Sequence, residues 1–357
     1  MPNVLDTAAG WIVQNGSSSV LKTYQGCICC FIAAEVAALT NSAGDDASTA
    51  MQGAGDVCAG DTRRAESTYR CQTALLRDPE PVPRGLAYTP GMARIHLIEI
   101  HEQSWCPAFL RDGTTEYLEF VIRKGRFYQP VAERLIAAVR RVGARRITDL
   151  CSGSGGPWVS LHQAFADAGI PVEVTLTDLY PNVAAFERVQ SETGLAVELR
   201  NDPVDATRVP ADMGEFRTLF SSFHHFQPAA ASAILASAVK AGAGIAVFEA
   251  SKRSLGMLIG SLLVPLMVLV ATPFMRPFRV WRLLLTYLIP ILPLLIWFDG
   301  AVSCLRTYSP DELRDLVAEM DAGADDYEWD IGEIPASVGR SPITYLIGTP
   351  RTQEPST

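Results

Sequence analysis

The chain has no run of clustered lysine or arginine. Its 30 basic residues are outnumbered by 39 acidic ones, for a formal net charge of −9 over 357 residues. Proteins that follow a phosphate backbone take their affinity from grouped cations, so nucleic acid is not an expected partner. A set of two C-x-x-C pairs is also missing. Of eight cysteines, Cys27, Cys29 and Cys30 crowd together, while Cys58, Cys71, Cys106, Cys151 and Cys304 are scattered without C-x-x-C spacing. That pattern offers no thiolate zinc site, no metal is expected, and a reducing compartment is. No basic run precedes the first apolar stretch, residues 27–39, which also carries Glu35. It is therefore not read as a secretory leader.

What the chain does contain is apolar residue content of 48%, enough for a substantial core in one large domain with additions or in two domains. The apolar residues are unevenly spread. Residues 1–91 are rich in Ala, Gly, Ser, Thr and Asp, with poor periodicity and a closing stretch that holds Pro79, Pro81 and Pro83. Too few apolar residues recur there to offset the entropy of ordering the backbone. The segment is expected to be a poorly structured extension, with a helix around 28–39 as the exception. Text of globular character begins at Met92, so an upstream start that adds a dispensable leader is one expectation.

Residues 92–144 are expected to form a cap. Residues 95–100 read as a short strand or extended arm, and Phe109, Leu110, Tyr117, Leu118 and Val121 recur at helical spacing over 107–121. A better helix is predicted over 130–142, with Pro130 in its first turn, Val131, Leu135, Ile136 and Val139 as its stripe, and Gly143 as its stop.

The most informative stretch follows. Residues 146–150 make an apolar strand that runs into Cys151-Ser152-Gly153-Ser154-Gly155-Gly156-Pro157-Trp158, a turn where missing side chains let a ligand approach the backbone and the first N–H groups of the next helix. A second apolar strand ends at Asp178, at the spacing of a carboxylate that accepts a ribose diol. The third glycine of a dinucleotide turn is replaced by Trp158, and no Lys followed by Ser or Thr closes the loop as a triphosphate loop requires.

With Asp149, Gly153 and Gly155 in these positions, the chain resembles the class I S-adenosylmethionine-dependent methyltransferases. The resemblance runs from about residue 128 to 348, apart from one insertion. It implies an α/β fold: a Rossmann-like, doubly wound sheet of seven strands in the order 3-2-1-4-5-7-6, with the domain spanning 145–349 and a flexible tail at 350–357. It further implies S-adenosyl-L-methionine as cofactor, held by Asp149, Cys151, Ser152, Gly153, Ser154 and Gly155, by Asp178 and Leu179, by Asp205 and Ala206 near the adenine, and by Ser221. Tyr128 is expected either to close over the methionine end or to be an ordinary core tyrosine. Cys151 stands where the family usually has glycine, which would narrow that approach. His224 and His225 follow the fourth strand, where the family's exit loop meets cofactor and substrate, and imidazole titrates near neutrality; they are the candidate catalytic bases, the alternative being one histidine hydrogen-bonded to backbone and the other packed. Glu249 either faces the acceptor or caps a helix. Beyond the last core strand, Ser309, Pro310 and Glu312 read as a capping box.

The insertion, at about 254–300, resembles an apolar helical hairpin. Residues 255–275 and 283–298 carry no charge, and Arg276, Arg279 and Arg282 lie between them. At about 1.5 Å per residue one arm is long enough for a bilayer and the other marginal. Translocating three arginines opposes a spanning hairpin. Residues 255–298 are therefore expected to dip into the cytoplasmic leaflet, with Trp281, Trp297 and the arginines near headgroups. Two buried helices of a soluble oligomer are the alternative. The expected function is methyl transfer to a small hydrophobic or lipid-like acceptor at the cytoplasmic face of a membrane. A non-catalytic membrane module and a cytoplasmic enzyme dimerising through the hairpin remain open.

Overall fold

A computed structural model describes residues 92–351, except 195, 211, 321, 322 and 336–340 and the side chains of 196–199. The expectations for residues 1–91, for the helix around 28–39 and for the tail beyond 351 lie outside the described residues.

The arm of residues 92–107 forms no strand. Among the described residues its one backbone–backbone hydrogen bond to a distant element is Ile95 N to Leu305 O at 3.1 Å, so of the two expected forms it is the extended arm. Helix α1 (Ala108–Gly125) runs one turn beyond its predicted end and stops at Arg126, whose backbone is left-handed at φ 48°. Helix α2 (Ala132–Val142) begins after a short turn at Gln129–Val131 and ends on Gly143 at φ 71°. A left-handed residue that lets the last carbonyls find donors is the usual helix stop, and glycine takes it without a Cβ penalty.

The alternation of apolar strands and helices that follows builds the sheet. The elements are β1 (Arg146–Leu150), α3 (Gly156–Asp167), β2 (Glu173–Leu176), α4 (Val183–Thr193), β3 (Ala196–Leu199), β4 (Phe216–Phe220), α5 (Pro228–Lys240) and β5 (Gly244–Glu249). Strands β6 (Tyr327–Ile334) and β7 (Ile343–Pro350) close it after the insertion, and the order is β3-β2-β1-β4-β5-β7-β6. β1 to β5 are parallel; β7 is antiparallel to both β5 and β6. β4 and β5 are buried at every residue, as expected of parallel strands covered on both faces. One core layer joins α2 and α3 to the sheet through Leu135, Trp158, Phe165 and Phe216; the other joins α5 and the last helix through Ile234, Leu235, Leu313 and Leu346.

Between β5 and that last helix lie α6 (Leu255–Ser261), α7 (Val264–Ala271), α8 (Val280–Leu283) and α9 (Ile291–Arg306), and then α10 (Pro310–Ala318) itself. Ser309 and Glu312 make the expected capping box at α10. The two uncharged arms are broken. Pro265 opens α7, and Pro290 precedes α9; a proline lacks the N–H that would continue the preceding helix. The first pair of helical segments bends by 44° and the second by 78°. No single helix among the described residues is long and apolar enough to cross a membrane, although each bent pair passes by length and composition together.

Charge decides where the tip goes. Arg282 is 2% exposed, 3.3 Å from Glu116 Oε2, and Arg279 lies 3.2 Å from Glu116 Oε1. These two arginines are folded back onto α1 rather than extended towards headgroups, a correction to the expected tip. A buried carboxylate without such partners would cost several kcal/mol. Around this pairing, Tyr117 and Phe120 of α1 pack with Val268, Met275, Leu292 and Ile296. The outward face keeps Leu262, Leu266, Phe278, Val280, Leu288 and Leu294 more than half exposed.

Candidate active site

The turn after β1 has three left-handed residues: Cys151 at φ 55°, Gly153 at φ 56° and Gly155 at φ 71°. A Cβ on Gly155 would lie 3.0 Å from Val189 Cγ2, and one on Gly156 would lie 3.0 Å from the Glu119 backbone. Both glycines therefore serve close packing, of the turn on α4 and of α3 on α1. Gly156 supplies the close helix approach that Trp158 does not. Cys151 adopts at a cost of roughly 1–2 kcal/mol what glycine adopts freely. Glycine at this position in the resembled family has that conformational reason. Burial first, then the Asp178 carboxylate, pushes the Cys151 thiol well up, so it stays protonated.

Ser152 ties the turn to the sheet. Its N–H donates to Thr177 O at 2.9 Å and its hydroxyl to Asp149 O at 2.9 Å. Gly153 N–H donates to Asp178 Oδ2 at 2.9 Å, and Tyr180 N–H donates to Asp178 Oδ1. The carboxylate at the end of β2 is thus fixed beside the glycine turn. Asp149 is buried, accepts from Thr218 Oγ1 at 2.6 Å, and is raised by burial to about 6. Asp205 Oδ1 accepts from Thr207 N and Oγ1 and caps a short helical turn that begins at Ala206. Helix α1 lies over the turn: Thr115 meets Ser154 at 3.0 Å, and the Arg111 guanidinium sits 3.8 Å from the centre of the Tyr180 ring.

A cavity of about 810 Å³ opens here. Asp149, Cys151, Ser152, Gly153, Ser154, Asp178, Leu179, Asp205, Ala206, Ser221, His224 and His225 all line it. Gly155 and Tyr128 do not. Tyr128 is wholly buried, stacked edge-on against Phe220, and bonded through its hydroxyl to Ser221 Oγ at 2.5 Å. It is a core residue that holds Ser221, itself left-handed at φ 44°, rather than a lid over the cofactor.

The two histidines differ sharply. His224 is buried, with Nδ1 at 2.7 Å from Glu249 Oε2 and its backbone N–H on Glu249 Oε1; Nε2 lies 3.5 Å from Glu99 Oε1. Burial opposes its charge, but Glu249 and then Glu99 outweigh it and raise His224 to about 10. A cation at neutral pH is not a base, so the proposed base role of His224 is corrected. Glu249 is its counter-ion and does not line the cavity. His225 is partly exposed, and burial together with the neighbouring His224 cation pushes it well below its ordinary value. Its ring keeps a lone pair at neutral pH.

Sequence reasoning missed the partners of these histidines. Glu99, His101 and Glu102 of the arm line the same cavity. Arg306, at the end of α9, reaches Glu99 Oε1 at 3.2 Å and both oxygens of Glu102 at 3.0 Å, and donates to the His224 and His225 carbonyls. Asp299 accepts from Ile100 N at 2.7 Å and pairs with His101 Nδ1 at 2.9 Å. The available signal was the pair Asp299 and Arg306, charges just after an uncharged stretch, together with the dense charge of Glu99-Ile100-His101-Glu102.

No protein-family model matches the chain, and no curated protein matches it. Among solved structures it is similar to an O-methyltransferase family protein from Burkholderia thailandensis, at 15% identity and TM-score 0.41 over 67% of this chain and 60% of that one. It is also similar to an O-methyltransferase family 2 protein from Planctomyces limnophilus DSM 3776 in complex with apigenin, at 16% identity and TM-score 0.42 over 67% and 62%. Human N-acetylserotonin methyltransferase in complex with SAM is a third, at 12% identity and TM-score 0.39 over 68% and 57%. The chain spans about three fifths of the length of these proteins.

Proposed function

We propose that the protein is an S-adenosylmethionine-dependent methyltransferase that acts on a small hydrophobic acceptor at a membrane surface. The observation that carries this is a single cavity with two unlike walls. One wall is the glycine turn with Gly153 N–H on Asp178; the other includes Met257, Leu263 and Val264 of the apolar insertion. The polar wall suits an adenosyl ribose, whose diol needs a fixed carboxylate. The apolar wall suits an acceptor that gains from leaving water, at roughly 25 cal/mol per Å² buried.

Methyl transfer asks mainly that the acceptor atom be held in line with the methyl–sulfur bond, so positioning supplies most of the rate. Where the acceptor must also lose a proton, the His225 lone pair can take it, while His224, held between Glu249 and Glu99, orients the loop. The exposed apolar face of the insertion is a surface for the cytoplasmic leaflet: a fully buried Leu or Phe contributes about 1.5–3 kcal/mol over an exposed one.

Calorimetry with S-adenosylmethionine tests the cofactor. Asp178→Ala should weaken binding about 100-fold, as expected for losing two hydrogen bonds to a charged acceptor; unchanged affinity removes Asp178 from the ribose. Isotopically marked methyl transfer into a lipid extract tests the reaction. His225→Ala should lower turnover by about 10²–10⁴-fold with cofactor affinity intact, and full activity removes its role. Flotation with liposomes tests the surface; a salt-released dimer that stays out of the lipid fraction favours a soluble enzyme that dimerises through the insertion.

A further inference from the structure

The arm-side wall of the cavity holds ligand-type groups that proton transfer alone does not require. One ligand atom each from Glu99, His101 and His225 lies within 4.8 Å of the other two. Glu99 is 1% exposed, and its oxygens are used unequally. Oε1 faces Arg306 at 3.2 Å and His224 at 3.5 Å. Oε2 has no hydrogen-bond partner among the described residues, yet is aimed between His225 Nε2 at 3.6 Å and His101 Nδ1 at 3.7 Å. A buried acceptor left without a donor costs about 1–3 kcal/mol, more when charged, so an orphan oxygen facing two imidazoles calls for an occupant.

We propose that Glu99, His101 and His225 bind a divalent transition-metal ion, with Zn²⁺ the ion best matched to the donors. Two imidazoles and one carboxylate leave a fourth position open, the arrangement of zinc sites that take water or substrate. In a tetrahedral site with bonds near 2.1 Å, ligand atoms sit about 3.4 Å apart. The 3.6 Å between Glu99 Oε2 and His225 Nε2 is within a few tenths of an ångström of that. A carboxylate already holds one nitrogen of each ring, as around metal-binding histidines: Glu102, clamped by Arg306, lies 3.3 Å from His225 Nδ1 and leaves Nε2 to the ion, and Asp299 lies 2.9 Å from His101 Nδ1, so that His101 is to bind through Nε2. The donors are histidine and glutamate brought together from the arm and the β4 exit loop, so the cysteine pattern carried no sign of them.

The site goes beyond the methyl-transfer reading and does not require it. It faces the same cavity, however, so the open position can accept an acceptor's oxygen. With the ion bound, His225 is a ligand, and lowering the acceptor's proton affinity passes from the imidazole to the ion.

The test uses untagged full-length protein, stripped with a chelator and titrated with Co²⁺ followed by visible absorption, then with Zn²⁺ by calorimetry. One ion per chain should bind, with the absorption of a tetrahedral site. Glu99→Gln and His225→Ala should bind at least about 100-fold more weakly, and Asp299→Asn about tenfold more weakly. Circular dichroism of each variant reports folding. If Glu99→Gln does not fold, His101→Ala and His225→Ala, at partly exposed positions, carry the comparison. A wild-type chain that binds no saturable ion, or folded variants at all three ligands that bind as tightly as wild type, overturns the site. S-adenosylmethionine binding is read on the same samples. Cofactor without ion sinks the metal site alone, and ion without cofactor sinks the methyl-transfer reading alone.

Discussion

The two walls of the cavity are assembled over very different distances along the chain. On the sheet side, Gly153 and Asp178 are 25 residues apart, and Ser152 bonds Asp149 at a separation of three. On the arm side, Arg306 reaches Glu102 across 204 residues and Asp299 reaches Ile100 across 199. The first wall is a product of local chain geometry: a strand, a left-handed turn and a helix start impose it wherever the sheet forms. The second exists only once the arm, the β4 exit loop and α9 have docked. It is held by buried charges, whose pairing is strong when complete and costly when broken.

The contrast can be broken hardest at Arg306. Arg306→Ala leaves Glu99 buried with only histidines to balance it and frees the His224 and His225 carbonyls. Stability should fall by about 3–5 kcal/mol, read as a lower midpoint in urea. A loss under about 1 kcal/mol would mean that the arm-side wall is looser than the sheet side. Next in size is a pH effect on the sheet side. The folded Asp149 carboxyl is raised to about 6 from an ordinary 3.8, so ionisation opposes folding: stability is greatest below the unfolded value and declines as pH rises through about 6. The shift corresponds to about 3 kcal/mol. Urea titrations between about pH 4 and pH 7 should show this decline in wild type and a flatter profile in Asp149→Asn; parallel profiles would mean that Asp149 does not titrate in that window. The smallest effect is expected at Cys151. Cys151→Gly relieves a left-handed non-glycine residue and should stabilise the chain by about 1 kcal/mol, with thermal denaturation as the readout. Destabilisation would show that the thiol's packing outweighs its backbone strain.

These differences follow how much of each region was legible beforehand. The α/β alternation, the glycine turn, the stop at Gly143 and the Ser309 capping box can all be read from short stretches, because each is a matter of backbone groups meeting partners within a few residues. The arm was half legible: its apolar alternation suggested a strand or an extended segment, and no sheet edge receives it. Tyr128 could be read either as closing over the cofactor or as a core residue, and full burial with the bond to Ser221 makes it part of the core. His224 and His225, adjacent in sequence and alike in composition, could not be told apart. Only the tertiary structure separates them: Glu249 and Glu99 raise His224, while burial and then the His224 cation lower His225.

The apolar insertion shows the same limit. Its uncharged stretches and prolines announce apolar, broken helices, and the bends at Pro265 and Pro290 follow from the missing N–H. Where Arg279 and Arg282 go was not written locally, since the deciding partner, Glu116, lies on a helix more than 160 residues earlier.

Taken alone, the sequence determined the elements of this protein and the turn between β1 and α3, because hydrogen bonding, helix caps and backbone sterics act over a few residues. Only the tertiary structure decided the set of Glu99, His101, His225, Asp299 and Arg306, because charges so far apart along the chain select one another only after packing has removed the water between them.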